Sequence, residues 1–312
     1  MNGNIRVISG SSHTHFAENI CGHLDLKLTP SKTVRFSNEN LMVQIGENVR
    51  GCDVFYIQTM APPVSDGIVE MLIAVDALKH ASANRITVVM PYYFYARSDK
   101  KDKPRISITA RLMADLLHTA GANRVMMMDL HSPQIQGFFR IPTDHLVGAP
   151  TLCEYMKKQW KLEGCVLVAG DVGETKDIGK FANRLQLPVA VVDKRRYGDD
   201  DKATATNLIG DVSGLHAIIV DDEIATGGTI VEAAKFVMDR GALSVRVVAT
   251  HGVLSGPAID RINQSIIERV LVSDTIPLKG KVSDKLEVVS VAGLFAKAVR
   301  RTHDGDSISD LF

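Results

Sequence analysis

Apolar residues gather in short β-branched runs separated by longer stretches of helical spacing, and that alternation sets the expected architecture. Residues 5–10 predict a first strand ending in a turn, and residues 16–24 a helix. Residues 33–36 and 42–45 predict a hairpin around a polar turn. Strands follow at 53–58, 85–90 and 124–129, with amphipathic helices between them at 67–80 and 108–119. Residues 189–192 and 217–220 are further buried strands, and Ile230, Ala233, Ala234, Val237 and Met238 define a helix over 230–240. A strand at 245–250 closes that series.

The same order occurs twice. Strand 217–220, loop, helix from 230 and strand 245–250 repeat strand 54–58, loop, helix from 67 and strand 86–90. Strands alternating with helices imply parallel sheets. The expected fold is therefore α/β, with two similar open, mostly parallel domains related by an internal repeat. The boundary is expected near Gly148-Ala149-Pro150, giving domains 1–147 and 148–312. The last helix is expected to pack back on the N-terminal domain. One large α/β domain is the alternative.

Composition narrows the class. Apolar residues make up 45% of 312 residues, enough for a substantial core, and Lys plus Arg equal Asp plus Glu at 36 each. A balanced charge gives no support for nucleic acid or an acidic membrane as main partner. No apolar run reaches membrane-spanning length and no leader pattern opens the chain. Cys21, Cys52, Cys153 and Cys165 lack metal-ligand spacing and read as reduced, mostly buried thiols, which points to the cytoplasm.

The most informative stretch is Val220-Asp221-Asp222-Glu223-Ile224-Ala225-Thr226-Gly227-Gly228-Thr229, between a strand and a helix start. Glycines let backbone N–H groups turn inward, and a helix N-terminus carries positive partial charge. A phosphate fits there, with Thr226 and Thr229 adding hydroxyl donors. Asp221 and Asp222 suit sugar hydroxyls or a metal bound to them. Phosphate and diol binding in one loop suggests a sugar phosphate. Two further segments follow strand ends, where open sheets place ligands. One is Pro91-Tyr92-Tyr93-Phe94-Tyr95-Ala96-Arg97-Ser98-Asp99-Lys100, continuing to Arg105. Its charges describe either a solvated loop or a grip on polyphosphate. The other is Asp129-Leu130-His131-Ser132-Pro133-Gln134, in which Asp129 and His131 share a face if the strand continues.

Taken in order, these motifs, with Phe36-Ser37, Val49-Arg50-Gly51, Thr250-His251-Gly252 and the tail Ser307-Ile308-Ser309-Asp310-Leu311-Phe312, resemble the ribose-phosphate pyrophosphokinase (phosphoribosyl-pyrophosphate, PRPP, synthetase) family, nearly end to end. The strand, acidic pair and Thr-Gly-Gly-Thr also resemble the PRPP loop of type I phosphoribosyltransferases. The resemblance implies transfer of the β,γ-diphosphoryl group of Mg-ATP to the C1 hydroxyl of ribose 5-phosphate, in a homo-oligomer, a hexamer. It gives Asp221 and Asp222 the ribose hydroxyls, and Ala225, Thr226, Gly227, Gly228 and Thr229 the 5-phosphate. It gives ATP to Phe36, Asn38, Asn40, Arg97, Ser98, Asp99 and His131, Mg²⁺ to His131 and Asp171, and the catalytic loop to Lys194 and Arg196, with His131 also catalytic. A regulatory anion site for phosphate or ADP falls to Asn48, Arg50, Arg105, Ser307 and Ser309.

The chain departs from the family pattern at several of these positions. Ala225 stands for a third acidic residue, Asn40 for a glutamate, Ser98 for a glutamine and Asn48 for a serine. Arg140 replaces an aspartate, and Gly170 and Glu174 replace Pro and Gly around Asp171. Tyr197-Gly198-Asp199-Asp200-Asp201-Lys202 replaces a proline-rich segment after Lys194-Arg195-Arg196. Two competing readings stay open: a catalytically silent regulatory relative, and a phosphoribosyltransferase that consumes PRPP.

Overall fold

The computed structural model describes residues 3–170, 175–195 and 204–311, with backbone alone at 175–177, 194–195 and 204–206. The chain divides into two compact units. The first comprises Met1–Val147, Thr275–Pro277 and Val291–Phe312; the second comprises Gly148–Asp274 and Leu278–Ser290. The calls on Asp171, Glu174, Arg196 and residues 197–202 lie outside the described residues.

The first unit runs β1 (Ile5–Ser9), α1 (Thr14–Leu24), β2 (Ser31–Arg35), β3 (Leu41–Ile45), β4 (Asp53–Ile57), α2 (Val64–His80), β5 (Arg85–Met90), α3 (Thr109–Ala120), β6 (Arg124–Met128) and β7 (Thr143–Leu146). Five strands form a wholly parallel sheet in the order β1-β4-β5-β6-β7. Successive strand side chains point to opposite faces, and both faces are buried. Ile8, Tyr56, Val88 and Met127 meet Met71, Leu78 and Leu117 of α2 and α3. Val7, Phe55, Val89 and Met126 meet Phe16 and Ile20 of α1 and Phe295 and Val299 near the C-terminus. Burial on both faces explains why these strands read as continuous apolar runs.

The second unit runs α4 (Ala149–Gln159), β8 (Cys165–Ala169), α5 (Thr175–Leu185), β9 (Val189–Arg195), β10 (Thr204–Ile209), β11 (His216–Glu223), α6 (Gly228–Asp239), β12 (Ser244–His251), α7 (Ala258–Gln264), β13 (Ile267–Ser273) and β14 (Leu286–Val289). Its seven-stranded sheet has the order β10-β9-β8-β11-β12-β13-β14, parallel except for the β9–β10 edge pair. Val166, Ile219, Val247 and Val270 pack under Ala233, Ala234 and Val237 of α6.

The internal repeat extends to individual hydrogen bonds. Gly51 N–H donates to the Ser82 carbonyl at 2.9 Å, and Gly214 N–H to Gly241 at 2.9 Å. Asn84 N–H donates to Cys52 at 2.9 Å, and Leu243 N–H to Leu215 at 2.8 Å. Each pair ties the turn before β5 or β12 to the start of β4 or β11. In both units the residue three before the later strand, Ser82 or Gly241, has positive φ.

Several boundaries differ from expectation, among them β11, which runs on through the acidic pair to Glu223 instead of ending at 220. Helix α2 starts at Val64, not at residue 67: the polar Ser65-Asp66 reads as loop, yet Asp66 suits a helix N-terminus electrostatically. Strand β6 stops at Met128, because Asp129 turns to φ 33°, so Asp129 and His131 do not share a strand face. Strand β9 runs through Lys194 to Arg195, paired with Thr204 and Ala205, instead of ending at 192.

The closing helix α8 (Ala292–Asp304) belongs to the first unit. Phe295, Ala296 and Val299 are buried in the core face shared with α1. A polar clamp holds its other end. The fully buried Asp53 carboxylate accepts from Arg85 Nε at 2.8 Å and lies 2.8 Å from His303 Nδ1, while Arg85 Nη2 donates to the Thr302 carbonyl at 2.9 Å.

All four cysteines are free and buried. Burial pushes the Cys21 thiol up to about 11 and the Cys153 thiol up to about 12. At pH 8 such thiols are thiolates in only about one molecule per thousand or fewer, and the thiolate is the reactive form. Maleimide at pH 8 is therefore expected to spare both in the folded protein and label them after unfolding. Fast native labelling of either would contradict the described burial.

Candidate functional site

In the second unit the sheet delivers an acidic pair to a helix N-terminus. Ile218, Ile219 and Val220 anchor β11 in the core, so the strand ends rigidly. Asp221 and Asp222 stand near the end of that strand, half-buried, with Asp222 N–H donating to Asp221 Oδ1 at 2.8 Å. The loop is laced to the next connection: Ile224 N–H donates to His251, Leu254 N–H to Ile224 and Ser255 N–H to Ala225, all at 2.8–2.9 Å. Arg261 Nη1 donates to the Thr226 carbonyl at 3.1 Å. These bonds fix the outer edge of the loop and leave Thr226 and Thr229 exposed.

Gly227 caps α6 with φ 75°, a conformation that glycine adopts without strain. Among the described residues no side chain caps the helix, and its first turn holds no acidic residue. The first-turn N–H groups of a helix have no acceptor within the helix, so this end carries donors and partial positive charge a few residues from two carboxylates. The arrangement suits a ligand with a phosphate at one end and hydroxyls at the other.

In the first unit, three connections carry the remaining expected residues. Phe36, Asn38 and Asn40 lie at the exposed tip of the β2–β3 hairpin, where Phe36 N–H donates to Asn40 and Asn40 N–H to Asn38 Oδ1. Phe36 is 47% exposed. After β5, the aromatic part of the loop is core: Tyr92, Tyr93 and Phe94 are buried, and Tyr93 O–H donates to the Ala110 carbonyl at 2.8 Å. The charged part is surface, with Arg97 and Arg105 exposed and Asp99 half-buried. Ser98 is occupied at the start of α3. Its Oγ accepts from Thr109 N–H at 3.3 Å, and its carbonyl from Ala110 N–H at 3.2 Å.

After β6, His131 is exposed on a turn whose backbone is fixed from β7. Asp129 N–H donates to the Leu146 carbonyl at 3.1 Å, and Leu130 N–H to His145 Nε2 at 3.0 Å. His145 was not singled out in the sequence. Its only sequence signal is the alternation Thr143-Asp144-His145-Leu146, too short and polar to stand out as a strand. By accepting the N–H next to His131, its ring carries the unprotonated nitrogen toward the turn.

The five expected anion-site residues are all exposed. Asn48 Oδ1 accepts from Arg50 N–H at 3.0 Å, so its carbonyl end is committed to the turn. Ser307 Oγ accepts from Ser309 N–H at 3.2 Å, and Arg301 reaches the Ser307 carbonyl at 2.7 Å. Among the described residues, no hydrogen bond or ion pair joins the Asn48–Arg50 turn to the Ser307–Ser309 tail. Lys194 is placed by its backbone in β9.

Both units are open α/β domains on mostly parallel sheets, and the second brings an acidic pair to a glycine-capped helix. Residues 5–121 match the N-terminal domain of ribose phosphate pyrophosphokinase, and residues 199–312 the phosphoribosyl synthetase-associated domain. The chain is 48% identical over 309 residues to the ribose-phosphate pyrophosphokinase of Caldanaerobacter subterraneus subsp. tengcongensis, covering 99% of this chain and 98% of that one. It is 45% identical over 312 residues to that of Aquifex aeolicus, covering both chains fully. The crystal structure of phosphoribosylpyrophosphate synthetase from Mycobacterium smegmatis superposes with a TM-score of 0.91 at 39% identity, covering 97% of this chain and 99% of that one. The chain belongs to the ribose-phosphate pyrophosphokinase family.

Proposed function

We propose that the chain transfers the β,γ-diphosphoryl group of Mg-ATP to the C1 hydroxyl of ribose 5-phosphate, giving PRPP and AMP. The observation that carries this reading is the β11–α6 connection, where Asp221 and Asp222 precede a glycine-capped helix N-terminus. In the reaction the C1 oxygen forms a bond to the β-phosphorus. The bond from that phosphorus to the α,β-bridging oxygen breaks, AMP leaves with the electron pair, and the hydroxyl proton is lost. Asp221 and Asp222 orient the ribose by accepting from its hydroxyls. Ala225 and the Thr226–Thr229 segment hold the 5-phosphate by backbone N–H and hydroxyl donors. Phe36, Asn38 and Asn40 take the purine side, and Arg97, Ser98 and Asp99 the triphosphate side. Ser98 Oγ accepts from Thr109 N–H, which leaves its O–H able to donate to a phosphate.

Phosphoryl transfer demands positioning and charge neutralisation more than covalent help. Lys194 and Arg196 supply positive charge to the transferring group. Mg²⁺, when bound, neutralises phosphate oxygens. Among the described residues no three His, Cys, Asp or Glu side chains form a cage. Mg²⁺ needs none, because it keeps waters and phosphate oxygens and takes one or two protein ligands. His131 and Asp171 are the residues proposed to hold it. Incubation with ribose 5-phosphate, Mg²⁺ and ATP is expected to yield AMP and PRPP together. ATP consumed without PRPP would defeat this reading, and binding without turnover would favour the silent alternative.

No described helix is long and apolar enough to cross a membrane. A cytoplasmic place for the reaction is part of the proposal. We also infer a homo-oligomer, a hexamer, supported by the exposure of Phe36 and Met42 on one hairpin. Phosphate and ADP are the proposed effectors at Asn48, Arg50, Arg105, Ser307 and Ser309. With the Asn48 carbonyl tied to its turn, the amide N–H end is the one turned to an anion, and it is longer than the hydroxyl the family places there. Phosphate is therefore expected to activate, with ADP inhibition altered. Activity at saturating substrates should rise with phosphate, and Arg50→Ala should flatten the response. A phosphate-independent parent enzyme would remove the site from regulation.

A further inference from the structure

The β2–β3 hairpin is a two-stranded sheet of its own, outside the five-stranded sheet. It buries little: Val43 is its one fully buried residue among those of β2 and β3. An isolated two-stranded ribbon is marginally stable in water, so something beyond its own pairing must hold this one. Val43 and Ile45 of β3 pack against the core that α2 shares, Ser31 Oγ donates to the Ser9 carbonyl at 2.8 Å, and two polar contacts run from β2 to α2. Thr33 Oγ1 donates to Glu70 Oε1 at 2.6 Å, and Arg35 pairs with Asp66.

The spacing of these contacts is matched. Thr33 and Arg35 are two apart on a strand, about 6.6 Å along it. Glu70 and Asp66 are four apart on a helix, about 6 Å along it and on one face. Strand and helix therefore lock in register, running in opposite directions, and the hairpin tip is carried past the N-terminal end of α2. Arg35–Asp66 is a solvent-exposed pair, with both side chains more than 40% exposed, and such pairs hold little alone. The Thr33–Glu70 contact is the stronger one.

Glu70 is 2% exposed and sits in a network of fixed polarity. Ser12 N–H donates to Gln58 Oε1 at 3.1 Å, and Gln58 Nε2 donates to the Gly67 carbonyl at 3.1 Å. Those two backbone groups fix which end of the Gln58 amide is which. Gln58 Nε2 then also donates to Glu70 Oε2 at 3.0 Å, and Ser11 N–H to Glu70 Oε1 at 3.0 Å. Each carboxylate oxygen thus faces an N–H that cannot reverse. Only a group that accepts at both ends fits, so a carboxylate is required, and its charge strengthens the Thr33 bond.

We propose that Glu70 and Thr33 are positioning residues for nucleotide binding: the buried carboxylate holds the hairpin in the register that presents Phe36, Asn38 and Asn40 to ATP. This rests on the assignment of those three residues to the nucleotide. It adds that the loop's competence is set from α2, three residues before the tip.

The test is Thr33→Val, which keeps β-branching and volume and removes only the hydroxyl donor. The readout is ATP affinity by titration calorimetry on the full chain, with ribose 5-phosphate affinity and melting temperature measured alongside. If the held register falls to about a fifth of molecules, apparent Kd for ATP rises about fivefold. We expect that rise in Thr33→Val, recovery in Thr33→Ser, and unchanged ribose 5-phosphate affinity. An unchanged ATP Kd in Thr33→Val overturns the proposal. So does an equal loss of affinity for both ligands, which marks general loosening. A parent chain that binds ATP with this dependence on Thr33 but makes no AMP leaves the proposal standing and defeats the catalytic reading.

Discussion

His131→Ala is expected to lower kcat by about 10²–10³-fold, the usual cost of losing one preorganised group that stabilises developing charge. The fold should be untouched. The imidazole is exposed, and the turn beneath it is held by Leu146 and His145 through backbone N–H groups, none of which involves the His131 side chain. A single substitution at an exposed position away from core and caps usually shifts stability by about 0.5 kcal/mol or less. The informative comparison is therefore kcat against melting temperature. If His131→Ala folds normally and turns over at the parent rate, His131 has no part in holding the triphosphate or its metal.

Gly227→Val should raise KM for ribose 5-phosphate by tenfold or more. The argument is conformational. At φ 75° a side chain with a Cβ pays roughly 1–2 kcal/mol, and a β-branched one pays more because its rotamers are already restricted. The new Cβ itself would meet the Ala258 carbonyl oxygen at 3.4 Å, an ordinary contact, so the cost lies in the backbone conformation. The chain can relieve this only by turning Gly227 out of the cap, which moves the first-turn N–H groups away from the phosphate position. About 1.4 kcal/mol of lost binding is tenfold. Binding of ATP, assigned to the other unit, should be unaffected. An unaltered KM for ribose 5-phosphate in Gly227→Val would mean that the glycine-capped helix end does not hold the sugar phosphate.

Much of this was readable in the residues. The parallel strands announce themselves because both faces of each sheet are covered, so Phe55-Tyr56-Ile57 and Val88-Val89-Met90 are apolar without a break. The repeat was visible because the same turn must connect helix to strand in both units, and its carbonyls and N–H groups need the same partners. The β11–α6 connection was legible for a different reason: glycines alone punctuate many strand-to-helix turns, but an acidic pair followed by Thr-Gly-Gly-Thr in that order is far more specific.

What stayed hidden depends on residues distant in sequence. Nothing local distinguishes Glu70 from the solvated glutamates of other helices; its meaning comes from Ser11, Gln58 and Thr33 converging on it. His145 was hidden because its role is to accept one backbone N–H across a strand pair. The Tyr92-Tyr93-Phe94 run, beside a charged loop, is buried core, and nothing local in the sequence separates it from the exposed part of that loop. Strand β9 outran its expected end because pairing with β10 satisfies the backbone of Lys194 and Arg195, and charged side chains do not reveal that.

The place of α8 has a consequence for the making of the protein. One face of the first sheet, centred on Phe55, Val89 and Met126, is covered by α1 and by Phe295 and Val299. On the ribosome those last two residues follow the whole of residues 148–290. At about 5–20 residues per second, the nascent first unit waits on the order of ten seconds with half of that face open to water. Full burial of a large apolar side chain contributes about 1.5–3 kcal/mol, so the first unit cannot reach its final stability in the order it is synthesised. The unit begun first is completed last.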